Sequence, residues 1–176
     1  RLGCEVTLVE ALRIMGRDDR AFVDILKQNL IKAGVTLIEG VGVTSLSQII
    51  EAGRRTITAS LDNGKQLTAS HLLMAVGRKP SLEGLKLAAA KIRHNAKGIV
   101  TDRRLRTSNR HVYAIGDVAG RQQFTHIAGY HASTVIRNIL FKIPAKLDDS
   151  AVPWVTYCDP ELAHVGLGLD DAKARF

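Results

Sequence analysis

Cysteine is scarce in this sequence. Only Cys4 and Cys158 occur in 176 residues, and their separation matches neither a metal-ligand nor a redox spacing. A disulfide framework is thereby excluded, the two thiols read as structural, and an intracellular, reducing, cytoplasmic setting is expected. Long apolar runs are missing too. Without about 18 consecutive apolar residues no transmembrane helix is expected, and no signal-peptide pattern opens the chain. Acidic residues are also in short supply, with 17 Asp and Glu against 25 Lys and Arg for a net charge of +8. The excess is local: residues 78–110 hold ten Lys or Arg against only Glu83 and Asp102. Such a segment can contact nucleic acid. This one, however, has no Phe, Tyr or Trp to stack on bases and no recognised nucleic-acid motif. It reads as a solvated basic face that helps attract anionic ligands.

What is present is ordinary for a globular protein, with 45% hydrophobic and 24% charged residues. The chain is long enough for a proper core. Val6 already lies in a strand pattern, so further sequence is expected before Arg1. Residues 5–10 read as a strand rich in β-branched residues. Asp18 or Asp19 can cap the next helix, whose expected face is Phe22, Ile25, Leu26, Leu30 and Ala33. Gly34 stands where a helix terminator belongs, and Val35 to Ile38 form the following strand. Strand, helix, strand implies a right-handed crossover in a parallel sheet.

From Val43 the pattern becomes antiparallel. Residues 56–61 alternate in polarity, Asp62-Asn63-Gly64 offers the positive φ angles of a tight hairpin, and Leu67 resumes a strand. The continuous apolar run Leu72-Leu73-Met74-Ala75-Val76 predicts a strand buried on both faces. Gly77-Arg78-Lys79-Pro80 ends it, and a domain crossing is expected there. Short strands are predicted near Ile99-Val100 and at 112–115. A helix is predicted from His126 to Phe141, with Ile127, Val135, Ile136, Ile139 and Leu140 at helical spacing. After a polar linker come two strands, at 154–157 and 162–167, and the start of a helix at Asp170.

The strongest chemical signal is Thr107-Ser108-Asn109-Arg110-His111-Val112-Tyr113-Ala114-Ile115-Gly116-Asp117. A glycine at a strand end lets the backbone approach a ligand, and the following carboxylate can accept hydrogen bonds from hydroxyls at the carboxyl end of a sheet. On spacing alone, an aspartate in a plain turn is the better reading. At these residues, however, the chain resembles the pyridine nucleotide–disulfide oxidoreductase family, in particular its dihydrolipoamide dehydrogenase and mercuric-reductase-like members. The resemblance implies that residues 112–117 close an FAD site, with Gly116 at the close approach and Asp117 on the ribityl chain. It also implies that the helix start at Phe124-Thr125-His126-Ile127-Ala128, with Thr125 as a plausible cap, faces the pyrimidine side of the flavin. There the helix end stabilises negative charge on the reduced ring. His126 reads as structural rather than as a general base.

Glu10 ends the first strand. An acid after a strand is weak evidence alone, but the resemblance makes it the acceptor for the adenosine ribose hydroxyls, favouring NAD over NADP. Arg13 nearby could instead accommodate a 2′-phosphate. By the same resemblance, Val43 packs on the adenine and Gly77 marks where the chain passes the bound NAD. Residues 153–166 resemble the first strands of the family's interface domain, through which two subunits dimerise.

The implied fold class is α/β: an incomplete Rossmann-like FAD/NAD(P)-binding fold with an antiparallel β-meander, plus the start of an α+β dimerisation domain. The implied domains are 1–78 (NAD-binding, lacking its first strand and Gly-rich loop), 79–147 (a returning FAD-binding segment) and 148–176 (start of the interface domain). The chain would be an internal fragment, because the Gly-rich phosphate loops, the redox cysteine pair and the His-Glu acid–base pair are not in it. Its parent is expected to be a homodimer passing hydride between NAD(H) and flavin and on to a small-molecule or protein disulfide, or another acceptor. Two alternatives stay open: a flavoprotein reductase without the dithiol, and a non-catalytic module whose basic segment contacts a polyanion.

Overall fold

The computed structural model describes residues 3–176. Residues 1 and 2, the first of the expected nucleotide-binding region, lie outside the described residues. The chain divides into two compact units, one of residues up to 75 together with 153–176, the other of 76–152.

In the first unit, β1 (Val6–Glu10) pairs in parallel with β2 (Val35–Glu39), so that Glu10 stands beside Glu39. Helix α1 (Arg20–Lys32) makes the crossover. Its N-cap is Asp19, whose carboxylate accepts from the Ala21 N–H at 2.9 Å, satisfying one of the donors that every helix start leaves open. The buried face of α1 differs from the expected one. Val23 and Leu26 are buried, whereas Phe22 and Ile25 are about half exposed. The helix carries two apolar stripes, and the one through Val23 faces the strands.

An antiparallel sheet follows, of β3 (Val43–Glu51), β4 (Arg54–Leu61) and β5 (Gln66–Ala69) in that order. The β3–β4 turn has positive φ at both Ala52 and Gly53, the signature of a two-residue hairpin turn. At 61–65 only Gly64 takes positive φ. The Gly64 N–H donates to Leu61 O, and the Leu61 N–H to Lys65 O. This is the three-residue form of hairpin, not one in which the whole Asp-Asn-Gly triplet is left-handed. Two short strands, β8 (Trp154–Thr156) and β9 (Leu162–His164), and helix α3 (Leu169–Arg175), which has Gly168 at its N-cap and starts one residue before the expected Asp170, complete this unit. The Trp154 ring stacks on His164 at 3.9 Å, and its indole N–H donates to Asp18.

The second unit has little regular structure: a two-residue pair β6 (His94–Asn95) and β7 (Gly98–Ile99), a 3₁₀ turn over Gly116–Ala119, and helix α2 (Thr125–Ile139). Its core is Leu87, Ile92, Ile99, Leu105, Ala114, Ala119 and Leu147. The expected strand at 112–115 is reduced to a single bridge between Tyr113 and Arg106, so the Gly-Asp motif ends an extended segment rather than a strand.

One expectation fails outright. Residues 71–80 form no strand, and Leu73 and Val76 are almost fully exposed. An apolar run is buried only where strands flank it, and it finds no strand partner among the described residues. No helix among the described residues is long and apolar enough to cross a membrane.

Candidate cofactor site

The Gly116-Asp117 turn sits on the first turn of α2. Gly116 is buried with φ +67°, and a Cβ placed on it would lie 3.3 Å from the Ala128 Cβ. A side chain here would press the turn away from the helix, and the left-handed backbone independently favours glycine. Asp117 follows with an exposed side chain, and its carboxylate takes no hydrogen bond from the described residues. Ala114 and Ala119 on either side of the turn are buried in the core and anchor it.

Helix α2 begins at Thr125, and its N-cap is Phe124, in extended conformation and without a side-chain capping bond. Thr125 is therefore the first helical residue and not the cap. Phe124 makes no side-chain capping bond, and the N–H end of the helix can meet an acceptor from a ligand. Thr125 and His126 are exposed, Phe124 and Ala128 half-buried. His126 stacks on Phe124 at 5.4 Å.

The residue after Gly77 reaches the segment that leads into α2. Gly77 has φ +110°, and the next residue, Arg78, donates to the carbonyl of Gln123 at 2.6 Å. The loop carrying Gly77 is thereby tethered one residue before Phe124. In the sequence Arg78 reads as part of a basic face. Its partner is a backbone carbonyl 45 residues away, which no spacing rule reveals. Other basic side chains are similarly occupied. Arg103 donates twice to Leu147 O, Arg106 pairs with Asp102, and Arg121 with Asp149.

Glu10 and Val43 lie in the first unit. Glu10 is half-buried at the end of β1, and one of its carboxylate oxygens accepts from the Leu12 N–H at 2.9 Å, which orients the group and leaves the second oxygen for a ligand. Val43 opens β3 and is about half exposed. The segment leading into it runs beside Glu10, with Gly40 N–H donating to Leu12 O and Val41 N–H to Glu10 O. The structure thus brings Glu10 and Val43 to one end of the parallel strands, where open α/β sheets bind ligands.

A residue with no sequence signal supports this end. Glu39 accepts from the Ile14 N–H at 2.7 Å and pairs with Lys27, fixing the loop that follows Glu10. The Lys27 hydrogen bond, then that of Ile14, hold the Glu39 carboxyl below its ordinary value of 4.5. A depressed carboxyl pKa adds stability above the unfolded value, and this is lost as pH falls through the folded one. Glu39→Gln is therefore expected to flatten the fall of melting temperature below about pH 4.5. Superimposable wild-type and variant pH–melting curves would show that the pair contributes nothing.

The chain belongs to the pyridine nucleotide-disulphide oxidoreductase family, which matches residues 1–132. Among curated relatives it is 34% identical to a mercuric reductase of Staphylococcus aureus, over 99% of this chain and 32% of that protein. It is 29% identical to a dihydrolipoyl dehydrogenase of Bacillus subtilis, over 100% of this chain and 38% of that one. Among solved structures, the HOCl-induced flavoprotein disulfide reductase RclA of Escherichia coli superposes with a TM-score of 0.88. There the identity is 30%, over 98% of this chain and 39% of that one. The chain spans about a third of the length of the curated relatives it matches. Its fold is accordingly the α/β architecture of flavoprotein disulfide reductases.

Proposed function

We propose that the full-length protein is an FAD-dependent oxidoreductase of dihydrolipoamide dehydrogenase type, and that this chain supplies part of its FAD and NAD sites. The observation that carries the reading is the Gly116-Asp117 turn, a left-handed buried glycine seated on α2 with an exposed carboxylate after it. The residues fit the group. Asp117 has unclaimed acceptor oxygens for ribityl hydroxyls, and the α2 start from Phe124 to Ala128 has no side-chain cap, leaving it able to face the acceptor edge of a flavin pyrimidine.

Bound flavin supplies the hydride chemistry, passing electrons between NAD(H) and a disulfide or other acceptor. The chain's own residues bind and orient. Asp117 holds the sugar-alcohol chain, the α2 N-terminus favours negative charge beside it, and Gly77, tethered through Arg78, carries the backbone past the nicotinamide nucleotide. Glu10 accepts from the adenosine ribose and Val43 lies against the adenine. Residues 148–176 contribute to the interface of a cytoplasmic homodimer. Use of Arg78, Arg103 and Arg106 of the basic segment in internal contacts argues against a polyanion-binding module.

The test is flavin content and pyridine-nucleotide oxidation by the full-length protein. Bound FAD and faster turnover of NADH than NADPH are expected. A colourless protein would refute the cofactor assignment. Glu10→Ala is expected to raise the KM for NADH by roughly tenfold, the loss of one charge-assisted hydrogen bond. Wild-type preference for NADPH would remove Glu10 from its assigned role.

A further inference from the structure

The buried stripe of α2 is only in part the apolar one that spacing suggests, with Ile127 buried and Val135 against the core. It runs through Ile127, His131 and Thr134, while Ile136, Ile139 and Leu140 are exposed. Its polar members are bound to backbone. Thr134 donates to Tyr130 O, and the neighbouring Asn138 donates to Thr134 O and Ala145 O. His131 makes the longest reach. The imidazole is fully buried, and its Nδ1 accepts from the Gly116 N–H at 3.0 Å.

That bond fixes the tautomer, since a ring nitrogen that accepts an N–H carries no proton. The proton is on Nε2, which is buried and has no hydrogen-bond partner among the described residues. Burying an unpaired donor is costly, so a phenyl or leucyl group would fill this space with less penalty. What histidine adds at this position is an acceptor for Gly116, the residue whose left-handed backbone sets the direction of Asp117.

We propose that His131 is a positioning residue for the cofactor: neutral, it holds the Gly116 N–H and thereby aims the Asp117 carboxylate at the ribityl chain. The inference rests on the FAD reading above. Charged groups near the ring come from the segments packed around α2. Arg121 lies just after the 3₁₀ turn, Asp149 on the segment after α2, and the two pair at 2.6 Å. Asp117 itself precedes the turn's end. Burial first, and Arg121 second, push the His131 pKa below its ordinary 6.5, with Asp149 opposing. A histidine with depressed pKa favours the folded arrangement at pH above its unfolded value. The advantage is lost as pH falls from about 6.5 through the lower folded value. Protonated imidazole cannot accept, so the Gly116 bond goes with it.

The test uses the full-length protein, stripped of flavin and titrated with FAD by fluorescence quenching across the acid range, as wild type, His131→Asn and His131→Leu. Asparagine keeps an acceptor where Nδ1 stands but does not titrate, and leucine keeps bulk alone. Wild type is expected to lose FAD affinity only once pH falls through the lowered value of the buried His131, well into the acid range. His131→Leu should bind roughly tenfold more weakly at neutral pH, the effect of one hydrogen bond, with no such fall. His131→Asn should bind nearly as wild type, also without the fall. Equal affinity and the same pH profile in wild type and His131→Leu would overturn the positioning role while leaving the FAD reading intact. Failure of the wild type to bind FAD at any pH would overturn both. If both variants melt too low to titrate, the wild-type profile decides: FAD affinity flat across the acid range overturns the proposal.

Discussion

Asp117→Ala in the full-length protein is expected to weaken FAD binding by about a hundredfold while leaving the melting temperature of the flavin-free protein unchanged. Hydrogen bonds to a charged group contribute about 1.5–3 kcal/mol each, and about 1.4 kcal/mol is tenfold in affinity. One such bond to a ribityl hydroxyl therefore corresponds to roughly ten- to a hundred-and-fifty-fold. Stability is spared because the side chain is exposed and takes no hydrogen bond from the described residues. The isosteric Asp117→Asn keeps one acceptor oxygen and should lose about tenfold. Flavin fluorescence titration beside a thermal melt checks both halves. A large loss of stability in the flavin-free variant would make Asp117 a structural residue after all.

The second large effect belongs to glycines that no cofactor motif marks. Gly98 and Gly120 bring two backbones into contact, where β7 crosses the end of the 3₁₀ turn. A Cβ on Gly98 would lie 2.5 Å from Val118 O and 2.7 Å from Gly120 N, and one on Gly120 would lie 2.7 Å from Lys97 O. The obstacles are backbone atoms and cannot swing aside. Both glycines also have positive φ, +144° and +65°. Overpacking costs about 1–3 kcal/mol and a left-handed non-glycine residue about 1–2 kcal/mol, so Gly98→Ala should destabilise by about 3 kcal/mol or more. Because Val118 and Gly120 adjoin the turn that carries Asp117, FAD should be lost as well. Thermal melting and flavin content measure the two effects. A wild-type melting temperature in Gly98→Ala would contradict the close approach.

Features that depend on near neighbours were legible in the sequence. The Asp19 cap, the β-branched runs of β1 and β2, and the alternation in β4 are of this kind. The Gly116-Asp117 motif is local too, since the special backbone and the carboxylate are adjacent in the chain. Burial is a property of what lies opposite, and there the reading failed. Apolarity at residues 72–76 predicted a buried strand where the structure has an exposed, unpaired segment. On α2, counting apolar residues selected the exposed stripe of Ile136 and Ile139 and passed over His131 and Thr134. Arg78, Glu39 and His131 act through partners 45, 25 and 15 residues away. Nothing in their own surroundings marks them. A polar residue on a buried helix stripe is a signal only once the stripe is known.

The most direct test of the central claim is a crystal structure of the full-length protein with FAD bound. A ribityl hydroxyl is expected within about 2.5–3.0 Å of an Asp117 carboxylate oxygen, with the flavin pyrimidine facing the start of α2 at Phe124 to Ala128. A flavin bound elsewhere, with Asp117 facing solvent, would contradict that claim.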